Sequence, residues 1–191
     1  MNWETLICFG DSITFGARSY LGYPERCGEL LSKRLDKSWH VINHSTNGFT
    51  TIDLTRSINS ELSNYKNLFP SLITVLIGTN DIKQKVSPND FVTAYSLLLI
   101  KLRLLSVGDN ILLLKIPRLS KTVFYPYTFS MNEQVREFNS LIEKMAKENQ
   151  LRTFEFSFDD EDYFDGVHLN VQGVESAAAQ LSGFILKDKG F

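Results

Sequence analysis

Two spacings of apolar residues alternate along this chain, and that alternation constrains its fold more than any other feature. Short unbroken apolar runs recur: Leu6 to Phe9, Val41-Ile42, Leu72 to Ile77, Ile111 to Leu114 and, more weakly, Phe154 to Phe156. Longer segments with helical spacing separate them. Leu30, Leu31 and Leu35 form one stripe and Leu54, Ile58 and Leu62 a second. Phe91, Tyr95, Leu98, Leu99, Leu102 and Leu105 form a third, Val135, Phe138, Ile142 and Met145 a fourth, and Val171 to Leu186 the last. Pro24 and Pro88 suit the first turn of a helix, where the missing N–H costs nothing. Gly10, Gly78 and Pro117 stop strands. A run that is apolar along its whole length is a strand buried on both faces, and helices between such strands permit parallel crossovers. The pattern predicts an α/β three-layer sandwich around a mostly parallel sheet of about five strands.

Composition narrows the function. The chain has 191 residues, so residues 1–191 are expected to form a single domain. Hydrophobic residues at 43% and a net charge of −2 exclude disorder. Twenty basic against 22 acidic residues leave no basic surplus for nucleic acid. No apolar stretch approaches the roughly 18 residues a membrane span needs. The amino terminus has neither a basic n-region nor a long apolar h-region, so a secretory signal is not expected. Cys8 and Cys27 lack the C-x-x-C spacing of a zinc ribbon or a thioredoxin and read as reduced thiols in a cytoplasmic protein. No phosphate-cradling glycine motif is present, so no nucleotide cofactor is expected.

Open parallel sheets take their ligands at the carboxyl ends of their strands. The polar residues of this chain gather there. Gly10-Asp11-Ser12-Ile13-Thr14 follows the first run, and Asn43 to Thr51 follows the second. Gly78-Thr79-Asn80-Asp81 follows the third, and Asp165-Gly166-Val167-His168 follows the fifth. Acyl transfer needs a nucleophile, a base, a group that orients the base, and donors for an oxyanion. Ser12 suits the first role. His168 suits the second, because imidazole titrates near neutral pH. Asp165, three residues earlier, suits the third. The side-chain amide of Asn80 and the backbone N–H groups of Gly48 and Ser12 suit the fourth. Asp11, Phe49, Pro117, Tyr125, Tyr127 and Val167 flank these segments as candidate substrate contacts.

Each segment alone has an ordinary structural explanation. Ser12 could cap a turn, Gly48 could serve a turn, and Asn80 could satisfy a loop. His44 is the rival base, though no carboxylate lies near it in sequence. The acidic run Asp159 to Asp162 reads as a solvated loop. Phe124-Tyr125-Pro126-Tyr127 lies in a long loop and reads either as a wall over the substrate or as a loop pinned to the core. Two other classes compete. One is a metal-dependent phosphoesterase using Asp11, Asn80, Asp81, Asp165 and His168. The other is a non-catalytic flavodoxin-like binding module.

Taken together, the four segments resemble the GDSL-like, or SGNH, hydrolases, whose serine, glycine, asparagine and histidine each come from one block. Ser12, Gly48, Asn80 and His168 match those blocks in order, from about Leu6 to the final helix. Block one carries Ile13-Thr14 where the founding name has leucine, and the turn after the fourth run reads Ile116-Pro117-Arg118. The resemblance implies a five-stranded parallel sheet of flavodoxin-like topology. It also implies hydrolysis of a small-molecule ester by Ser12, His168 and Asp165 with no metal or cofactor. The compact chain suggests short acyl or O-acetyl esters. Lysophospholipase or thioesterase activity is the alternative within the family.

Overall fold

The computed structural model describes residues 3–65, 68–105 and 110–188. Its strands are β1 (Trp3–Gly10), β2 (Ser38–Ser45), β3 (Leu72–Leu76), β4 (Ile111–Leu114) and β5 (Arg152–Phe154). They form one five-stranded sheet in the order β2-β1-β3-β4-β5, with every neighbouring pair parallel. The helices are α1 (Ser12–Phe15), α2 (Tyr23–Leu35), α3 (Thr51–Tyr65), α4 (Thr79–Lys83), α5 (Pro88–Arg103), α6 (Asn132–Glu148) and α7 (Val171–Asp188).

The apolar runs do what doubly buried strands must. Successive side chains of a strand point to opposite faces. Ile7 and Phe9 of β1, Ile73 and Val75 of β3, and Ile111 and Leu113 of β4 therefore face one layer, built from α3, α5 and α6. Leu6, Cys8, Leu72, Leu76, Leu112 and Leu114 face the other, built from α2 and α7. Both faces are apolar, so both need a helical cover, and the result is three layers. Cys8 and Cys27 pack together in the second cluster, where burial pushes the Cys8 thiol up to about 12.

The chain steps from β1 outward to β2, then returns to place β3 on the other side of β1. The order thus reverses between β1 and β3, which opens a crevice at their carboxyl ends. Two strands differ from the sequence reading. β2 extends well beyond Val41-Ile42 as a half-exposed edge strand. The fifth strand ends at Phe154 rather than running on to Phe156. Phe156 and Phe158 leave the sheet and stack on each other at 5.3 Å, and Phe156 meets Tyr23 edge-on at 5.4 Å. Aromatic packing under the second layer outweighs two further ladder pairs at a sheet edge. Among the described residues, no helix is long and apolar enough to cross a membrane.

Candidate active site

Ser12 is the first residue of α1, immediately after β1. Asp11 caps that helix by accepting the Ile13 N–H at 3.0 Å. The turn is tied down from two sides: the Thr14 hydroxyl meets the Tyr23 hydroxyl at 3.1 Å, and Asn43 Nδ2 donates to the Thr14 carbonyl at 3.0 Å. Asp11 is fully buried, and its second carboxyl oxygen has no hydrogen-bond partner. Burial pushes this carboxyl up to about 7, against the Ile13 N–H that favours its charged form.

His168 stands on a short loop between β5 and α7. The Phe164 N–H donates to the His168 carbonyl at 2.8 Å, and the Asn170 N–H to the Asp162 carbonyl at 2.9 Å, so the loop is closed at its base. Asp165 shapes its tip. One carboxyl oxygen accepts the N–H groups of Val167 and His168, at 3.1 and 2.8 Å. The other faces His168 Nδ1 at 2.7 Å. Burial opposes ionisation of Asp165, but the His168 N–H, the imidazole and the Val167 N–H outweigh it and hold this carboxyl below the usual carboxylate range. Gly166 is demanded here: its φ is +83°, and a Cβ would lie 2.5 Å from the Val123 Cα. The remaining ring nitrogen, Nε2, lies 3.0 Å from Ser12 Oγ. Residues far apart in the chain thus form one line from carboxylate to imidazole to hydroxyl.

Asn80 occupies the first turn of α4, directly after β3. Its Nδ2 donates to the Phe49 carbonyl at 3.0 Å, leaving one amide hydrogen uncommitted. Its Oδ1 accepts a long 3.4 Å hydrogen bond from the Tyr127 hydroxyl. Burial raises the Tyr127 phenol above its ordinary range, so it remains a donor. Asp81 joins the second and third segments: its carboxylate accepts the Thr51 N–H at 2.9 Å at the start of α3. Gly48 lies in the loop just before, with φ +82° and nothing within 4 Å of a Cβ. Left-handed backbone, rather than crowding, is what calls for glycine at this position. The Gly48 N–H and the Ser12 N–H have no hydrogen-bond acceptor among the described residues.

Ser12, Gly48, Asn80, Asp165 and His168 all line one cavity of about 760 Å³. Tyr125, Tyr127 and Val167 line it too, with Phe124 and Pro126, so the loop after β4 forms a wall. That loop is also pinned: Asn139 exchanges hydrogen bonds with both backbone groups of Ile116, and Asn132 does the same at Leu119. The three other candidate contacts lie outside the cavity lining. Asp11 is buried as a cap, Phe49 turns its ring into the core, and Pro117 is buried after β4. Phe15, Arg18 and Lys83 line the cavity without any sequence motif to mark them.

The rival histidine is occupied elsewhere. His44 packs edge-on against Phe9 at 5.4 Å and against Tyr65 at 5.8 Å. The acidic run is not simply solvated. Asp160 pairs with Arg118 at 2.8 Å, and buried Asp162 accepts the Asp159 N–H at 2.9 Å. Caps beside the His168 loop require these carboxylates, so composition misread them as a free charge run. Among the described residues, no group of three His, Cys, Asp or Glu side chains is placed to hold a metal ion.

A family model described as the GDSL-like Lipase/Acylhydrolase family matches residues 8–175. No curated protein sequence matches the chain. Among solved structures, a carbohydrate acetylesterase family member from Sinorhizobium meliloti aligns with a TM-score of 0.77 at 21% identity, over 98% of this chain and 100% of that one. An acetylxylan esterase from Geobacillus stearothermophilus aligns at 0.69 and 18%, over 98% and 94%. A GDSL-like lipase from Bacteroides thetaiotaomicron aligns at 0.66 and 17%, over 96% and 88%. These likenesses show a shared fold.

Proposed function

The chain belongs to the GDSL-like lipase/acylhydrolase family of carboxylic ester hydrolases, and on that footing we propose that Ser12, His168 and Asp165 cleave the ester through an acyl-enzyme. The observation that carries this reading is the line of contacts: Asp165 to Nδ1 at 2.7 Å and Nε2 to Ser12 Oγ at 3.0 Å. Ser12 Oγ attacks the carbonyl carbon while its proton passes to His168 Nε2. The negative oxygen of the tetrahedral intermediate accepts from the Ser12 N–H, the Gly48 N–H and Asn80 Nδ2. The intermediate collapses, the C–O bond to the alcohol breaks, and His168 returns the proton to the leaving oxygen. Water, deprotonated by the same nitrogen, then attacks the acyl carbon and frees Ser12. Asp165 holds the imidazole in the useful tautomer and stabilises the imidazolium, without itself taking the proton.

The acyl group of this reading is short, acetyl foremost. Two fold relatives are named for acetyl esters. Two measurements test the reading. A fluorophosphonate should label the wild-type protein and leave Ser12→Ala unlabelled; a labelled Ser12→Ala protein overturns the nucleophile. Across 4-nitrophenyl esters from acetate to palmitate, kcat/KM should peak at the shortest chains. Palmitate turned over faster than acetate would transfer the protein to the long-chain branch.

A further inference from the structure

Cationic side chains without a carboxylate partner are ordinary on a protein's outer surface. Two of them line the cavity, Arg18 exposed and Lys83 half-buried. Arg18 and Lys83 line the space that holds Ser12 and His168, and among the described residues no carboxylate lies within ion-pair distance of either. Arg26, Lys37, Lys115 and Arg118 each meet an acid, while among the described residues other surface cations such as Lys33, Arg56 and Lys121 meet none, so it is their place in the cavity that sets Arg18 and Lys83 apart. The one carboxylate of the cavity lining, Asp165, is committed to His168 and to two backbone N–H groups. Asp11 feels the charge of Lys83, but it is fully buried and absent from the lining. A chain of net charge −2 therefore presents a cationic cleft at its ester-binding site.

Both cations are placed by the fold. Lys83 lies three residues after Asn80, so the two share one face of α4. It is half-buried, with Nζ 5.9 Å from the centre of the Tyr127 ring. Arg18 adopts a left-handed backbone at φ 74°, which a side-chain-bearing residue rarely takes. Its loop is held there by Ser19, whose N–H and hydroxyl both donate to the Gly16 carbonyl, at 3.1 and 2.8 Å. Two cations against one carboxylate already committed to His168 leave the lining net positive, a field that draws an anion.

We infer that the substrate of this site carries an anionic oxygen group in addition to its ester, bound by Arg18 and Lys83 while the carbonyl lies at Ser12. The inference rests on the hydrolase reading above and narrows its substrate class. The test uses two matched ester pairs, with every rate divided by the ester's spontaneous hydrolysis rate. For the alcohol side, 4-acetoxybenzoate is compared with methyl 4-acetoxybenzoate. For the acyl side, 4-nitrophenyl hydrogen adipate is compared with 4-nitrophenyl methyl adipate. In one pair the anionic ester should have a kcat/KM at least about tenfold higher, as a charge-assisted contact supplies. That preference should shrink as salt is raised to about 0.5 M. In the double variant Arg18→Gln, Lys83→Met, the ratio read within the variant should fall to near one. A wild-type ratio near or below one in both pairs, with the neutral esters turned over, overturns this inference and leaves the hydrolase reading standing. A preference that survives in the double variant overturns the assignment to these two residues. Should that variant not fold, the wild-type ratio and its salt dependence decide. Absence of turnover for all four esters overturns the hydrolase reading and this inference with it.

Discussion

Asp11 and Asp165 are the same residue type on either side of the Ser12–His168 contact, one beside the serine in sequence and the other beside the imidazole in space. Asp11 is sealed in the core with one oxygen unpartnered, and burial drives it up to about 7. Asp165 keeps some exposure and is surrounded by donors that hold it below the usual range. Burial opposes ionisation in both; it is complete at Asp11 and prevails there, while at the partly exposed Asp165 the His168 and Val167 N–H groups and the imidazole outweigh it. In the proposed mechanism, a carboxylate that stabilises an imidazolium has to be ionised, and the donors around Asp165 favour that form. Adjacency to Ser12 in the chain makes Asp11 a cap and nothing more.

The sharpest way to break this contrast is to neutralise each group in turn. Asp165→Asn should fold normally and lose kcat by about 10⁴, the scale seen when a triad carboxylate loses its charge. Rates on 4-nitrophenyl acetate with a parallel thermal melt check it. An equal loss in Asp11→Asn would erase the distinction. The next effect is on stability. An Asp11 carboxyl raised from 3.8 to about 7 keeps its proton in the folded state after the unfolded chain has lost it. Stability from this group is therefore complete below about pH 4 and lost as pH rises toward 7, on the order of 4 kcal/mol. Asp165, with a lowered value, acts in the opposite sense: its contribution is present above the ordinary carboxylate range and is lost as pH falls through its own. Urea melts across pH 4–8 should show a slope that Asp11→Asn flattens; an unaltered slope would mean that Asp11 is ionised throughout.

Smaller effects probe the donors. Asn80→Ala should lower kcat by about 100–1000-fold, with KM less affected, because an oxyanion donor acts mainly in the transition state. Tyr127→Phe removes only the long bond that orients Asn80. About a threefold to tenfold loss in kcat is expected, the worth of one neutral hydrogen bond. A Tyr127→Phe effect as large as that of Asn80→Ala would place the hydroxyl in contact with substrate instead.

Much of the fold was legible because its causes are local. Runs such as Leu72 to Ile77 are apolar throughout, and that alone demands cover on both faces. That Ser12, Gly48, Asn80 and His168 meet at one cavity was legible because each follows a strand, where a parallel sheet gathers its ligand groups. The errors also have local causes. Pro117 and Phe49 lie near the site in sequence, but their side chains turn into the protein. Asp159 to Asp162 read as surface charge because a sequence does not show which backbone N–H groups await a cap.

By itself, the sequence determined the layers, the ligand-bearing edge of the sheet and the residue types available for acyl transfer, since these follow from periodicity and position along single strands and helices. Tertiary structure alone decided which aspartate is pushed toward its neutral form and which toward its charged form, which hydrogen of Asn80 is left uncommitted, and that Arg18 and Lys83 share a cleft with Ser12. Charge state and cavity chemistry depend on groups contributed by several distant segments at once, and distance through space is a quantity that spacing along the chain does not encode.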